Sequence, residues 1–198
     1  MGQLNRHNFA KWQRDYRLHY FVETGTWKGD GLLAARAAHF QRLLSIEASP
    51  ELAIKATARM ECACRGTTWQ GRWEILVGDS ADCIKEVLLR LSAWSAPVLW
   101  WLDAHLPERY GAEATRLPLV MELHEVLRWP HRSHAGDVFL LDDLRLYEAG
   151  PYASGNFPGG PPGDRGDWTL LLKALSNTHT IHRDYRDEGY LVALPKDE

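Results

Sequence analysis

A chain of 198 residues has room for one sizeable hydrophobic core and little for a second, so a single domain over residues 1–198 is expected. Hydrophobic residues at 45% and charged residues at 25% exclude a disordered or low-complexity chain. A net charge of −3 with mixed signs excludes the clustered basic field that grips a nucleic-acid backbone, so a small molecule is the expected partner and no nucleic acid is.

Met1 to Arg17 carries Arg6, Lys11, Arg14 and Arg17 among polar and aromatic residues, without the apolar core of a signal peptide. Residues 1–19 therefore read as an N-terminal extension. With no later run long enough to span a bilayer, no membrane partner and a cytoplasmic location are expected. Cys62, Cys64 and Cys83 are odd in number, and the Cys62-Ala63-Cys64 spacing is too tight for an ordinary metal or disulfide pair, so they read as free thiols.

From residue 20 onward, apolar runs alternate with helix-like stretches, the pattern of repeated βα units on a mainly parallel sheet. Tyr20-Phe21-Val22 is a first strand leading into the turn Glu23-Thr24-Gly25-Thr26, and Gly31 to Phe40 is a first helix. Leu43 to Glu47 is a second strand, after which Ser49-Pro50 starts a helix with a hydroxyl cap and a proline in its first turn. Trp73 to Val77 is a third strand; Gly78-Asp79-Ser80 follows it and caps a helix running to about Leu91. Val98 to Leu102 is unbroken apolar sequence, as in a strand buried on both faces, and Asp103 stands at its carboxyl end. Leu119 to Trp129 repeats apolar residues at three and four, giving a helix, and Val138 to Leu141 is a fifth strand closed by Asp142-Asp143.

Residues 147–167, with Pro151, Pro158, Pro161, Pro162 and interspersed glycines, read as a mobile loop near the substrate side. Tyr147, Tyr152, Asn156 and Phe157 are its candidates to line or cover a substrate, with an exposed disordered loop as the alternative. Trp168 to Leu175 is a last helix, and Thr178–Arg183 and Tyr190–Leu194 form an antiparallel hairpin about Asp187-Glu188-Gly189. Trp100 and Trp101, adjacent in a strand, face opposite sides and read as core. A zinc site from His131, His134, His179 and His182 is disfavoured because they are scattered.

In an open α/β sheet a ligand lies outside the carboxyl ends of the strands. Here those ends are Glu23, Glu47, Asp79, Asp103 and Asp142-Asp143, an acid at each of the first five strands. Acids are common in turns, but an unbroken series favours a site over chance capping. The small residues between Glu23 and Gly31 allow close backbone approach and present N–H groups to an anion. Glu47, about one βα unit later, is placed to accept ribose hydroxyls.

Glu23-Thr24-Gly25-Thr26-Trp27-Lys28-Gly29, Ile46-Glu47, Gly78-Asp79-Ser80, Leu102-Asp103-Ala104-His105 and Leu141-Asp142-Asp143, in this order and spacing, resemble the successive motifs of class I S-adenosylmethionine-dependent methyltransferases. The resemblance covers about residues 20–145. It implies a doubly wound Rossmann-like α/β fold with a seven-stranded, mainly parallel sheet ending in an antiparallel hairpin. It also implies S-adenosylmethionine as cofactor. Glu23 would lie near the methionine amino group and Gly25 and Thr26 would cradle the cofactor by backbone. Glu47 would hold the ribose, and Asp79 and Ser80 would lie against adenine. Thr24, Gly29, Ala48 and Asp103 complete the candidate cofactor set.

Carboxylates crowded at the ends of strands four and five repel unless protonated or neutralised by a cation, and oxygen ligands suit Mg²⁺. Asp103, Asp142 and Asp143 are the candidate metal ligands, with Mg²⁺ as a candidate second cofactor, and Asp103 and His105 are the candidate catalytic bases. In this the chain is similar to magnesium-dependent O-methyltransferases of sugars and natural products, the macrocin O-methyltransferase type, although His105 is not part of their pattern. The reading is O-methylation of a small hydroxylated metabolite, with self-association left open. Its rivals are an NAD-dependent oxidoreductase, which lacks its Gly-x-Gly-x-x-Gly turn here, and a non-catalytic nucleoside-binding protein.

Overall fold

The computed structural model describes residues 7–69, 71–93, 95–106, 115–163 and 167–196. In chain order the elements are α1 (Phe9–Asp15), β1 (Tyr20–Thr24), α2 (Asp30–Ala37), β2 (Arg42–Glu47), α3 (Pro50–Cys64), β3 (Trp73–Val77) and α4 (Ser80–Ser92). They continue with β4 (Val98–Leu102), α5 (Leu119–Arg128), β5 (Val138–Leu141), α6 (Asp167–Ser176), β6 (His179–Asp184) and β7 (Tyr190–Pro195). The strands form one seven-stranded sheet in the order β3-β2-β1-β4-β5-β7-β6. All neighbours from β3 through β5 are parallel, and β7 runs antiparallel to both β5 and β6. The expected fold class is thus the observed one.

The central strands are apolar on both faces because both faces are covered. Alternate residues of one strand enter different cores. Val22, Trp100, Leu102 and Phe139 pack with Ile84 and Leu88 of α4, Leu123 of α5 and Leu175 of α6. Phe21, Leu99, Trp101 and Leu140 pack with Phe9, Leu32 and Met60 of α1, α2 and α3 on the other side. Trp100 and Trp101 are both core, one on each face, as the period of two requires.

The N-terminal extension is partly an element of its own. Asn8 accepts a hydrogen bond from the Lys11 amide and starts α1, whose Phe9 is buried against Phe21 and Trp101. Residues 1–6 of the extension lie outside the described residues.

The Gly/Pro-rich stretch is not the open loop that its composition suggests. Tyr147 and Tyr152 are buried, Tyr147 packing on Trp168 at 5.3 Å and Tyr152 on Tyr185 at 5.2 Å. The Gly163 amide donates to the Leu146 carbonyl at 2.7 Å, and Ala153 to Tyr185 at 3.0 Å. Aromatic burial therefore ties down a segment that glycine and proline keep out of regular structure. Asn156 is exposed and Phe157 half-buried; residues 164–166 lie outside the described residues.

At the amino ends of the strands, buried Asp137 accepts from the Val98 amide, Trp100 Nε1 and His134 Nδ1, at 2.9, 2.9 and 2.8 Å, and is paired with Arg132. His179 Nε2 donates to the Asp137 carbonyl at 2.9 Å. The buried histidines are structural hydrogen-bonding partners of one aspartate. No helix among the described residues is long and apolar enough to cross a membrane.

Candidate active site

Strand order reverses between β1 and β4, which opens a crevice above their carboxyl ends. Gly25, at φ +77°, turns the chain there, and a Cβ on it would stand 2.8 Å from the Asp103 carbonyl oxygen. Only glycine lets the two strand ends approach this closely. The turn closes with the Gly29 amide donating to the Thr26 carbonyl at 2.8 Å, and Gly29, at φ +79°, begins α2. Trp27 is also left-handed, at φ +48°, which is costly for a bulky residue and is held by its amide donating to Glu47.

The two acids on this side are built differently. Glu23 is buried, accepts from Ser45 Oγ at 2.8 Å, and lies directly over Gly31, where a Cβ would meet its Oε2 at 1.8 Å. Burial pushes its pKa up to about 8, against the hydrogen bond from Ser45. Glu47 accepts the Trp27 amide at 2.7 Å on one oxygen and the Ser49 amide at 2.9 Å on the other, so its carboxyl is fixed at the β2 end. Its pKa is raised by burial, with the Ser49, Trp27 and Ala48 amides opposing. Its register partner Val77, on the same face of edge strand β3, is 55% exposed.

Other candidates turn inward. Thr26 Oγ1 donates to Ser45 Oγ, whose own proton goes to Glu23. Thr24 is fully buried; its Oγ1 accepts from the Asp103 and Ala104 amides at 3.2 and 3.3 Å and donates to Glu122 Oε2 at 3.3 Å. Asp79 caps α4 through the Ala81 amide at 3.0 Å and accepts the Thr115 amide on its second oxygen. Ser80 is buried beneath it.

Asp103, His105 and Asp143 come together at the β4 and β5 ends, with ligand-type atoms all within 4.8 Å of one another. His105 Nε2 is 2.8 Å from Asp143 Oδ2, and its Nδ1 is 3.0 Å from the Asp103 carbonyl. Both ring nitrogens face acceptors, an arrangement that favours the protonated ring in the absence of a cation. Burial pulls the His105 pKa down, but Asp143 outweighs it and the net shift is upward. Burial works to raise Asp143 as well, yet the His105 and Glu188 hydrogen bonds bring it to about 2. Burial pushes Asp103 well above the usual carboxylate range, with Asp142 and Asp143 adding repulsion. Asp142 lies beside the group: its Oδ1 accepts the Asp143 amide at 2.7 Å, and burial followed by repulsion from Asp143 raises it to about 7. Arg145 turns away from the acid pair to Glu188 on the β6–β7 turn.

Sequence reasoning missed Glu122, Ser45 and Glu188. A charge in the apolar stripe Leu119, Leu123, Val126 and a serine inside Leu43-Leu44-Ser45-Ile46 were the available signals for the first two; nothing distinguished Glu188 from a solvated turn residue.

The seven-stranded sheet with its C-terminal antiparallel hairpin is the class I methyltransferase fold. Over the whole chain, and 80% of the other, it resembles SAH-bound methyltransferase PaMTH1 from Podospora anserina, at 14% identity and a TM-score of 0.59. It is similar to the O-methyltransferase TomG of Streptomyces achromogenes, solved with SAM and involved in tomaymycin synthesis. That match has 18% identity, a TM-score of 0.58 and coverage of 96% of this chain and 78% of the other. A putative caffeoyl-CoA O-methyltransferase from Staphylococcus aureus matches at 11% identity and a TM-score of 0.59, over 99% and 85% of the two chains. No protein-family model matches the sequence, and comparison with curated proteins gives no match.

Proposed function

We propose that the protein is an S-adenosylmethionine-dependent O-methyltransferase acting on a small hydroxylated molecule, assisted by a divalent cation. The observation that carries this reading is the adjacency of two unlike acidic sites across the β1/β4 crevice. One is the tight turn flanked by Glu23 and Glu47; the other is the Asp103, His105 and Asp143 group.

On the first side, the carboxyl of Glu47 is held by two amides and retains lone pairs for ribose hydroxyls. Exposed Val77 beside it offers an apolar surface for a base. Glu23, once ionised, complements the ammonium of the methionine portion. Asp79 and Ser80 contribute the α4 start, with Asp79 already occupied as a cap.

On the second side, two carboxylates and an imidazole suit Mn²⁺ and related metals as well as Mg²⁺, and the crowding that raises Asp103 is what a cation would relieve. Asp103, Asp143 and His105 in its neutral form would hold it, and when bound it would make an acceptor hydroxyl more acidic. Asp103 is the proposed acceptor of that proton, through a carboxylate oxygen left free by the cation. The acceptor oxygen forms the new bond to the methyl carbon as the sulfonium bond breaks, leaving S-adenosylhomocysteine. The chain's contribution is alignment.

The test is incubation with methyl-labelled S-adenosylmethionine and a panel of catechols, sugars and hydroxylated amides, with and without Mg²⁺ or Mn²⁺. Label transferred to a hydroxyl oxygen supports the reading. Transfer to nitrogen or carbon instead would replace the O-methylation part of it.

A further inference from the structure

Glu122 is fully buried on α5, at a position where its helix otherwise presents Leu119, Leu123 and Val126 to the core. A leucine would satisfy the packing there, whereas a buried carboxyl costs free energy unless it has polar work to do. Its surroundings supply that work. Oε2 accepts the Thr24 hydroxyl at 3.3 Å, and the same Thr24 oxygen accepts the Asp103 and Ala104 amides, at 3.2 and 3.3 Å. A threonine hydroxyl has one proton; giving it to Glu122 leaves its lone pairs for the two amides. Glu122 therefore fixes the direction in which Thr24 receives the β4 turn, two residues from His105. Ser80, at the start of α4, lies against the same carboxyl, and Glu122 Oε1 is buried without a hydrogen-bond partner among the described residues. One side chain thus underlies the ends of β1 and β4 and the start of α4.

We propose that Glu122 is a positioning residue which, through the Thr24 hydroxyl, sets the Asp103–His105 turn relative to the cofactor cradle. The proposal rests on the methyltransferase reading only for its consequence on cofactor affinity. Burial pushes the Glu122 carboxyl up to about 7, so it is available as the neutral acid or the carboxylate near neutrality, and both forms retain an acceptor for Thr24.

The experiment uses the full chain and four substitutions: Glu122→Gln and Thr24→Ser, which keep the link, and Glu122→Leu and Thr24→Val, which cut it. Two readouts are taken: the imidazole ¹⁵N resonances of His105, which need no cofactor, and the S-adenosylhomocysteine Kd by titration calorimetry. The expected result is a shifted His105 signal and a Kd raised about tenfold in Glu122→Leu and Thr24→Val, the size of a coupling carried through one intervening residue. Glu122→Gln and Thr24→Ser should stay close to the unsubstituted protein in both readouts. A folded Glu122→Leu or Thr24→Val with the original His105 signal overturns the proposal, as does a Gln or Ser variant that behaves like its apolar counterpart. If Glu122→Leu does not fold, the Thr24 pair decides. If the unsubstituted protein binds no S-adenosylhomocysteine, the cofactor reading fails while the His105 readout still decides on Glu122.

Discussion

Glu23, Glu122 and Asp142 are carboxyls kept out of water, with pKa values pushed up to about 8, 7 and 7. Each binds its proton more tightly in the folded chain than in the unfolded one. The stability each contributes is therefore complete below the ordinary carboxyl pKa of about 4 and is lost as pH rises through 7 to 8. Asp143, held at about 2, has the opposite sign: its contribution is present above about pH 4 and is lost as pH falls toward 2. The ligand-free protein should accordingly melt at a lower temperature at about pH 8.5 than at about pH 5.5, measured by calorimetry. A flat profile would mean these acids are solvated. His105 gives a second residue-scale prediction. Because Asp143 raises its pKa against the lowering effect of burial, Asp143→Asn should move the His105 midpoint down, read by NMR titration. The third concerns Gly31, over which the Glu23 carboxyl lies. Gly31→Ala places a methyl on that carboxyl, so it should cost about 1–3 kcal/mol of stability and lower cofactor affinity by displacing Glu23.

At the scale of elements, the two ends of the sheet have separate tasks. The carboxyl ends carry the acids of the crevice, while the amino ends are tied by Asp137 to β4, Trp100, His134 and Arg132. Asp137→Ala leaves buried donors unpaired and should cost about 3–5 kcal/mol in denaturant unfolding, with S-adenosylhomocysteine affinity retained at temperatures where the variant is folded. The strands, and the helices between them, were legible because each has a simple cause. Val98 to Leu102 is apolar throughout since both faces are covered, and Ser49-Pro50 and Asp79 mark helix starts by capping chemistry. What was not legible depended on partners distant in sequence. Tyr147 and Tyr152 lie among glycines and prolines and are buried only because Trp168 and Tyr185 come to meet them. Likewise the strand-end acids could be placed at one edge of the sheet, but not their pairings. That His105 bonds Asp143, and that Thr24 faces inward to Glu122, follows from side-chain directions that periodicity does not specify.

For the whole molecule, the reversal of strand order between β1 and β4 gathers acids from strands far apart in sequence into one crevice. The turn after β1 lies beside the Asp103 and His105 end of the neighbouring strand β4, with Asp143 joining from β5, so the two proposed sites share one crevice. The fold by itself hosts many chemistries, so the reading depends on the two acidic sites, of which the Glu47 carboxyl, held by hydrogen bonds from two amides, is the one a single substitution tests most directly. The most direct measurement is isothermal titration of the protein with S-adenosylhomocysteine, repeated on Glu47→Ala. The account predicts saturable binding by the unsubstituted protein at one site and a large loss of affinity in a folded Glu47→Ala variant. Absence of binding to the unsubstituted protein, or equal binding by the two, would contradict it.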